Sequence, residues 1–260
     1  FFFPSCPASC GFSMRAILTF HAIETGGSLL GISGEGLRSL LASIQRSGHE
    51  IVPLRSLLDG RCDHLDVVAL TFDDGARSVA EQAAPILREF GAPASLFLTT
   101  GFMGGKNTWP SQPAGAPVFS MLDWDAIGSL QASGWTIEAH TISHPDLRAL
   151  DDAALEEELA LPAEAIAEKT GVYPRILAYP YGYYNERIIS KVKLYYEYAV
   201  TAKFRQLSLR DDPYLIPRID TFYLRSSLIH RHFGNGGGFT TLLSAISWLR
   251  KLRRHPGEGE

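Results

Sequence analysis

The 260-residue sequence is poor in cysteine, in net charge and in long apolar runs, and each shortage removes a class of protein. Its three cysteines, Cys6, Cys10 and Cys62, form an odd set without a C-x-x-C pair, which excludes zinc ribbons and dithiol redox motifs. They read as thiols in a reducing compartment, with a Cys6–Cys10 bridge as the alternative. Twenty-four basic against 28 acidic residues leave a net charge of −4, so no global field draws in nucleic acid. No run approaches the ~20 apolar residues of a membrane span. P-loop, G-x-G-x-x-G and G-x-S-x-G patterns are missing, which removes support for nucleotide-binding and serine-hydrolase readings.

What is present is an ordinary globular composition, 45% hydrophobic and 20% charged, enough for a substantial core without disulfides. Aromatics at 11% suit a packed interior or a site that stacks on sugar rings. Short apolar runs at Ile17–Phe20, Glu50–Val52, Val67–Phe72, Ser95–Leu98, Thr136–Ala139, Ile176–Tyr179, Glu197–Thr201 and Ile216–Ile219 alternate with helical patterns. Gly36–Arg46, Val79–Phe90 and Asp151–Lys169 are the clearest of these helices. Seven or eight strands in about 250 residues predict one α/β domain built as a closed or nearly closed parallel barrel, with an open doubly wound sheet as the alternative. The Gly- and Pro-rich stretch Gly101–Val118 reads as a long βα loop of functional kind.

The expected organisation is an extension over 1–13, the domain over 14–238, and a basic helix and tail over 239–260. Leu242, Leu243, Ile246 and Leu249 share one face of that helix, and Arg250, Lys251, Arg253 and Arg254 crowd its end. Those cations complement the helix dipole, with contact at a membrane surface as the alternative. Residues 1–13 lack a full secretory signal. A complete chain would then be cytoplasmic, and a chain missing its signal periplasmic or extracellular. Oligomeric state is left open.

Polar residues just past strand C-termini of a parallel α/β fold are candidates for chemistry. Val67–Phe72 runs into Asp73-Asp74-Gly75, two carboxylates at a strand mouth where one could bind a cation and the other take a proton. By itself the pair also fits a turn or a cap. Thr136–Ala139 leads into His140-Thr141-Ile142-Ser143-His144, whose imidazoles, on a helical turn, would share a face and a metal. Two His and one carboxylate leave an open coordination position, the composition of a hydrolytic metal site.

Together, Thr71-Phe72-Asp73-Asp74-Gly75, His140-Thr141-Ile142-Ser143-His144 and Ala178-Tyr179-Pro180-Tyr181-Gly182 resemble the first three motifs of the polysaccharide deacetylases, carbohydrate esterase family 4 or the NodB-homology group. The resemblance covers residues 15–235. It implies a distorted (β/α)7-type barrel, a single NodB-homology domain, and metal-dependent removal of N- or O-acyl groups from sugars. It implies Asp73 as general base and Asp74, His140 and His144 as metal ligands. Tyr181 would offer its backbone N–H to the oxyanion, since Pro180 has none. The implied cofactor is a divalent ion, Zn²⁺ first, with Co²⁺, Ni²⁺ or Fe²⁺ as alternatives.

Two departures stand out. The Arg that usually opens the third motif and orients the base is replaced, with Leu177-Ala178 in its place. The L-x-x-H that supplies a general acid, usually near the C-terminus, occurs as Leu18-Thr19-Phe20-His21 at the N-terminus. That resembles the circularly permuted branch acting on poly-N-acetylglucosamine, and favours His21 over His230 as the acid, because first and last barrel strands are neighbours.

Arg218 could replace the missing Arg beside Asp73 or form a surface pair, and Asp220 could orient His21. Trp124 is expected to wall the acyl methyl group or to staple its helix, and Trp109 to anchor its loop or stack on a sugar. Tyr179, Pro180 and Arg218 complete, with Trp124, the expected substrate-contacting set. The expected partner is an N-acetylated glycan, deacetylated by metal-activated water. The alternatives are a catalytically degenerate carbohydrate-binding relative and a deformylase or deacetylase of a non-polymeric sugar. A two-His-one-carboxylate iron oxygenase would need a β-rich fold that this pattern does not provide.

Overall fold

The computed structural model describes residues 14–24, 28, 30–62, 66–225, 241, 243, 245 and 246. Its centre is a parallel sheet. The strands are β1 (Arg15–Phe20), β4 (Glu50–Ile51), β5 (Val67–Phe72), β6 (Ser95–Leu98), β7 (Thr136–Ala139), β8 (Ile176–Ala178), β9 (Tyr198–Val200) and β10 (Ile219–Asp220). Two short strands, β2 (Ala22–Ile23) and β3 (Gly31–Ile32), pair separately. The main order is β10-β1-β5-β6-β7-β8-β9. β4 takes the lower half of one edge of β5, at Val67 and Val68, and β6 takes Thr71 and Phe72.

The curled sheet closes through the chain before β10. Ile216 forms a parallel bridge to Val200, and Thr201 N–H donates to Ile216 O. Pro217 cannot donate to a ladder, so the expected strand Ile216–Ile219 is split into that bridge and β10. This is the expected α/β barrel, with neighbouring strands parallel throughout.

Strand periodicity sorts side chains into two cores. Ala16, Leu18 and Phe20 of β1, Leu70 and Phe72 of β5 and Leu96 and Leu98 of β6 pack outward against the helices. Ile17, Ala69, Phe97, Ile176, Ala178, Val200 and Ile216 fill the interior, closed below by Leu54 and Leu57 of α2 (Leu54–Leu58). Both faces being buried explains why these strands read as continuous apolar runs. Followed upward, the inward set becomes polar: Ile17 leads to Thr19 and His21, and Ala69 to Thr71 and Asp73. The period of two therefore aims the chemistry at the barrel mouth.

The helices cover the outside. α1 (Gly34–Arg46) is capped by Ser33 Oγ accepting from Gly36 N–H and buries Leu37, Leu40, Leu41 and Ile44. The helix expected over Val79–Phe90 starts with a π turn, Val79–Ala83, before α3 (Ala84–Glu89). α4 (Trp124–Ala132), α5 (Asp152–Thr170) and α6 (Glu186–Val192) follow β6, β7 and β8. Residues 1–13, Cys6 and Cys10 among them, His230 and most of 239–260 lie outside the described residues. Leu243, which is helical, is buried in the outer core, and Ile246 packs against it. Cys62 is a buried free thiol. Among the described residues no helix is long and apolar enough to cross a membrane.

Candidate active site

The motif residues meet at the C-terminal mouth of the barrel. Asp73 N–H donates to Phe20 O, continuing the β1–β5 ladder, and His140 N–H donates to Leu98 O. Asp74 follows with φ 70° and Gly75 with φ 98°. A Cβ at Gly75 would lie 3.0 Å from Leu98 Cδ2 in a backbone conformation that side chains rarely adopt. This turn swings the Asp74 carboxylate back over the mouth, so the adjacent carboxylates of Asp73 and Asp74 face different partners.

His140 and His144 also converge, but not on a helical turn. Residues 140–144 are a loop in which Thr141 has φ 68° and His144 φ 52°. The loop is held from three sides. Thr100 and Gly101 N–H donate to Thr141 O and Ile142 O. Glu158 on α5 accepts from Ile142 N–H, Ser143 N–H and the Ser143 hydroxyl. Thr141 Oγ1 accepts from His144 N–H. Asp74, Thr141, His144 and Tyr181 are the non-glycine residues with positive φ among those described, and all four belong to this site.

The donor set fits a divalent ion. His140 Nδ1 is 2.8 Å from Ala178 O, which only accepts, so Nδ1 carries the proton and Nε2 presents its lone pair. That Nε2 is 3.5 Å from Asp74 Oδ1, and His144 Nε2 is 3.7 Å from the same oxygen. Ligand atoms on a tetrahedral ion with bonds near 2.05 Å sit about 3.4 Å apart. Asp74 Oδ1 is buried without a hydrogen-bond partner, a costly state that a cation would relieve. Burial raises the Asp74 pKa, and burial holds His144 well below the usual imidazole range.

Beside this cluster Arg218 grips Asp73. Its Nη1 and Nη2 each donate to one carboxylate oxygen at 2.7 Å, Nη1 also reaches Thr71 Oγ1, and Nε donates to Thr201 O. Both side chains are buried, which settles the choice against a surface pair. Burial pushes the Asp73 carboxyl up, but the charge and hydrogen bonds of Arg218 oppose it, and the pKa is held at about 2. Asp73 is thus ionised at neutral pH, with lone pairs left over beyond the two Arg218 bonds.

His21 lies past β1 and lines the same cleft, a space of about 990 Å³ reached also by Trp109, Tyr179, Tyr181 and Asp220. Asp220 does not orient His21. Its carboxylate caps the following turn by accepting from Phe222 N–H, and among the described residues no hydrogen bond joins it to His21. Trp124 does not line the cleft, because it opens α4 and packs against the outer core. Pro180 is likewise buried below the surface, where it starts the turn that presents Tyr181. Tyr179 reaches the cleft, while its ring packs in the outer core 5.6 Å from Tyr184. Trp109 is both loop anchor and cleft wall: its ring stacks 4.6 Å from that of His144.

Tyr181, at φ 59°, has no acceptor for its N–H among the described residues, leaving that donor free beside the ligand cluster. Carboxylate, two imidazoles and an Arg-bound second carboxylate at a barrel mouth coincide with a family match. Residues 60–199 match the family model described as polysaccharide deacetylase.

The chain belongs to the polysaccharide deacetylase family.

The matched stretch contains Asp73, Asp74, His140, His144 and Tyr181, and leaves His21 and Arg218 outside. Among similar proteins, Bacillus subtilis (strain 168) YxkH is 24% identical over 208 residues, 78% of this chain and 70% of that one. The poly-β-1,6-N-acetyl-D-glucosamine N-deacetylase of Staphylococcus epidermidis is 28% identical over 166 residues, 58% of this chain. The chain spans 53% of that enzyme's length. The solved structure of IcaB from Ammonifex degensii shares the fold with a TM-score of 0.70 and 24% identity, over 85% of this chain and 98% of that one. The deacetylase PplD of Streptococcus pyogenes shares it at 0.69 and 22%, over 80% and 92%.

Sequence reasoning missed Glu158 and Ser111. Glu158 stands in an acidic run with Glu156 and Glu157, and nothing in that run singles it out. Ser111 belongs to the long loop expected to be functional, with no motif of its own.

Proposed function

We propose that the chain is a metal-dependent hydrolase that removes N-acetyl groups from an amino-sugar polymer. The observation that carries this reading is one cleft containing the buried Asp74, His140 and His144 ligand atoms next to an Arg218-held carboxylate. Asp74, His140 and His144 would hold the ion, zinc first by the mix of imidazole and carboxylate ligands. When bound, the ion supplies Lewis-acid polarisation and makes water acidic enough to ionise near neutral pH.

The chain's own groups then divide the work. Asp73, ionised and oriented by Arg218, accepts a proton from water as the water oxygen bonds to the acyl carbon. Tyr181 N–H donates to the oxygen that becomes negative, a role in which one donor contributes roughly 3 kcal/mol. The C–N bond breaks as His21 gives its proton to the departing nitrogen, so the amine leaves neutral. The products are acetate and a free amino sugar. His21 reaches the cleft directly after β1, beside the strand that leads into Asp73, which supports it as the acid.

The substrate class follows the staphylococcal relative, whose name specifies β-1,6-linked N-acetylglucosamine, and aromatic residues Trp109, Tyr183 and Tyr223 line the cleft. The test is acetate release from a β-1,6-linked N-acetylglucosamine pentamer and from its β-1,4-linked counterpart. Release from the β-1,6 pentamer with a matching gain of free amines is expected. No acetate from either oligomer at full zinc loading would overturn the reading.

A further inference from the structure

Two of the strained backbone positions, the metal ligand His144 and the oxyanion donor Tyr181, lie on different loops. His144 follows β7 and Tyr181 follows β8, and both are tied to one residue of a third loop. Ser111 Oγ donates to the carbonyl oxygen of His144. The Tyr181 hydroxyl donates to Ser111, 2.8 Å from its carbonyl oxygen and 2.9 Å from its Oγ. Two residues earlier on the same loop, Trp109 stacks on one face of the His144 imidazole, while the Tyr181 ring meets it edge-on at 4.5 Å. Left-handed φ is unfavourable for both residues and persists only where the surroundings over-determine it. Ser111 supplies part of that constraint at both positions.

The geometry points to Ser111 as a positioning residue that locks the His144 backbone for metal binding and couples it to the Tyr181 turn. The Oγ arm acts on the metal ligand. The carbonyl arm acts, through the phenol, on the placement of the Tyr181 N–H. This inference rests on the proposed metal and oxyanion roles, but its two arms separate by measurement.

Ser111→Ala removes the Oγ arm and leaves the carbonyl that accepts from Tyr181. Tyr181→Phe removes the phenol arm and leaves the backbone N–H. Metal affinity is read without substrate, by competing Zn²⁺ between the full chain and a chromophoric chelator, and kcat and KM are read by acetate release from the β-1,6 pentamer. Loss of an outer-shell partner lowers metal affinity roughly 10-fold or more. Ser111→Ala is therefore expected to weaken zinc about tenfold, with Ser111→Thr restoring most of the affinity. Tyr181→Phe is expected to lower kcat about fivefold with KM and zinc affinity within twofold of the parent. Thermal melting of each variant confirms folding, and if the alanine variant is unfolded, Tyr181→Phe still tests the coupling through the phenol. Parental zinc affinity in a folded Ser111→Ala protein overturns the inference, as does a Tyr181→Phe protein with unchanged kcat. An inactive parent with the Ser111→Ala loss of zinc affinity intact contradicts the proposed reaction and leaves the metal-positioning arm standing.

Discussion

Arg218 and Asp73, 145 residues apart, form a buried two-point ion pair at 2.7 Å for each bond. The pair exists because barrel closure places the segment before β10 beside β1, with β5 and its Asp73 next along the sheet. Breaking a buried pair strands a charge, so Arg218→Ala should lose about 3–5 kcal/mol of stability. Arg218→Lys keeps the charge but not the fork, and should remain folded while losing roughly 10- to 100-fold in kcat through misplacement of the base. Denaturant melts and steady-state kinetics on both variants check this, and a lysine variant with parental kcat would refute the orienting role.

His21 should matter far more to turnover than His230. With His21→Ala the departing nitrogen has no proton donor, and kcat should fall roughly 100-fold or more. Zinc affinity should stay at the parental value, because the proposed ligand atoms belong to Asp74, His140 and His144. A larger loss from His230→Ala than from His21→Ala, in the same acetate-release assay, would reject the assignment.

Glu158 satisfies two backbone N–H groups and a hydroxyl of the loop between the two imidazoles. Glu158→Ala leaves them without their acceptor and frees the loop, and second-layer losses of this kind cost about 10- to 100-fold in metal affinity or activity. The measurement is zinc competition with a chelator, and an unchanged dissociation constant would show that the loop holds itself.

At the opposite end of the barrel Arg175 binds Asp59 and Glu197 with paired hydrogen bonds. Those bonds from Arg175 are the chief cause holding both carboxyls below their ordinary values of 3.8 and 4.5. A depressed carboxyl contributes stability that is present above its ordinary pKa and is lost as pH falls through the lowered one. The deficit of Arg175→Gln relative to the parent should therefore be largest near pH 7 and shrink below about pH 4, with a size of about 1 kcal/mol or less for such partly exposed groups. Urea melts at the two pH values and low salt test it, and a pH-independent deficit contradicts it.

The strands Val67–Phe72 and Ser95–Leu98 were legible to the residue, because burial on both faces leaves a largely apolar run that ends where the polar mouth begins, and Thr136–Ala139 was legible although the buried Glu138 interrupts its apolar pattern. The motif residues were legible for the same reason. The path of the His140–His144 loop was not. Spacing of four suggests a helical turn, whereas the left-handed Thr141 and His144 carry no glycine to announce them. Trp124 read either as a wall of the site or as a staple of its helix, and packing places it against the core at the start of α4. The choice between Arg218 as partner of Asp73 and as a surface residue depended on barrel closure across Pro217, which no local pattern encodes.

The proposed function rests on Asp74, His140 and His144 holding the ion on which acyl hydrolysis depends. Its most direct test is acetate release from the β-1,6 pentamer by parent, His140→Ala and Asp73→Asn proteins, with bound zinc counted in the same samples. The parent should hold about one zinc and release acetate in a chelator-sensitive way, His140→Ala should show neither zinc nor release, and Asp73→Asn should keep zinc without release. Full zinc retention by His140→Ala, or release indifferent to chelation, would contradict it.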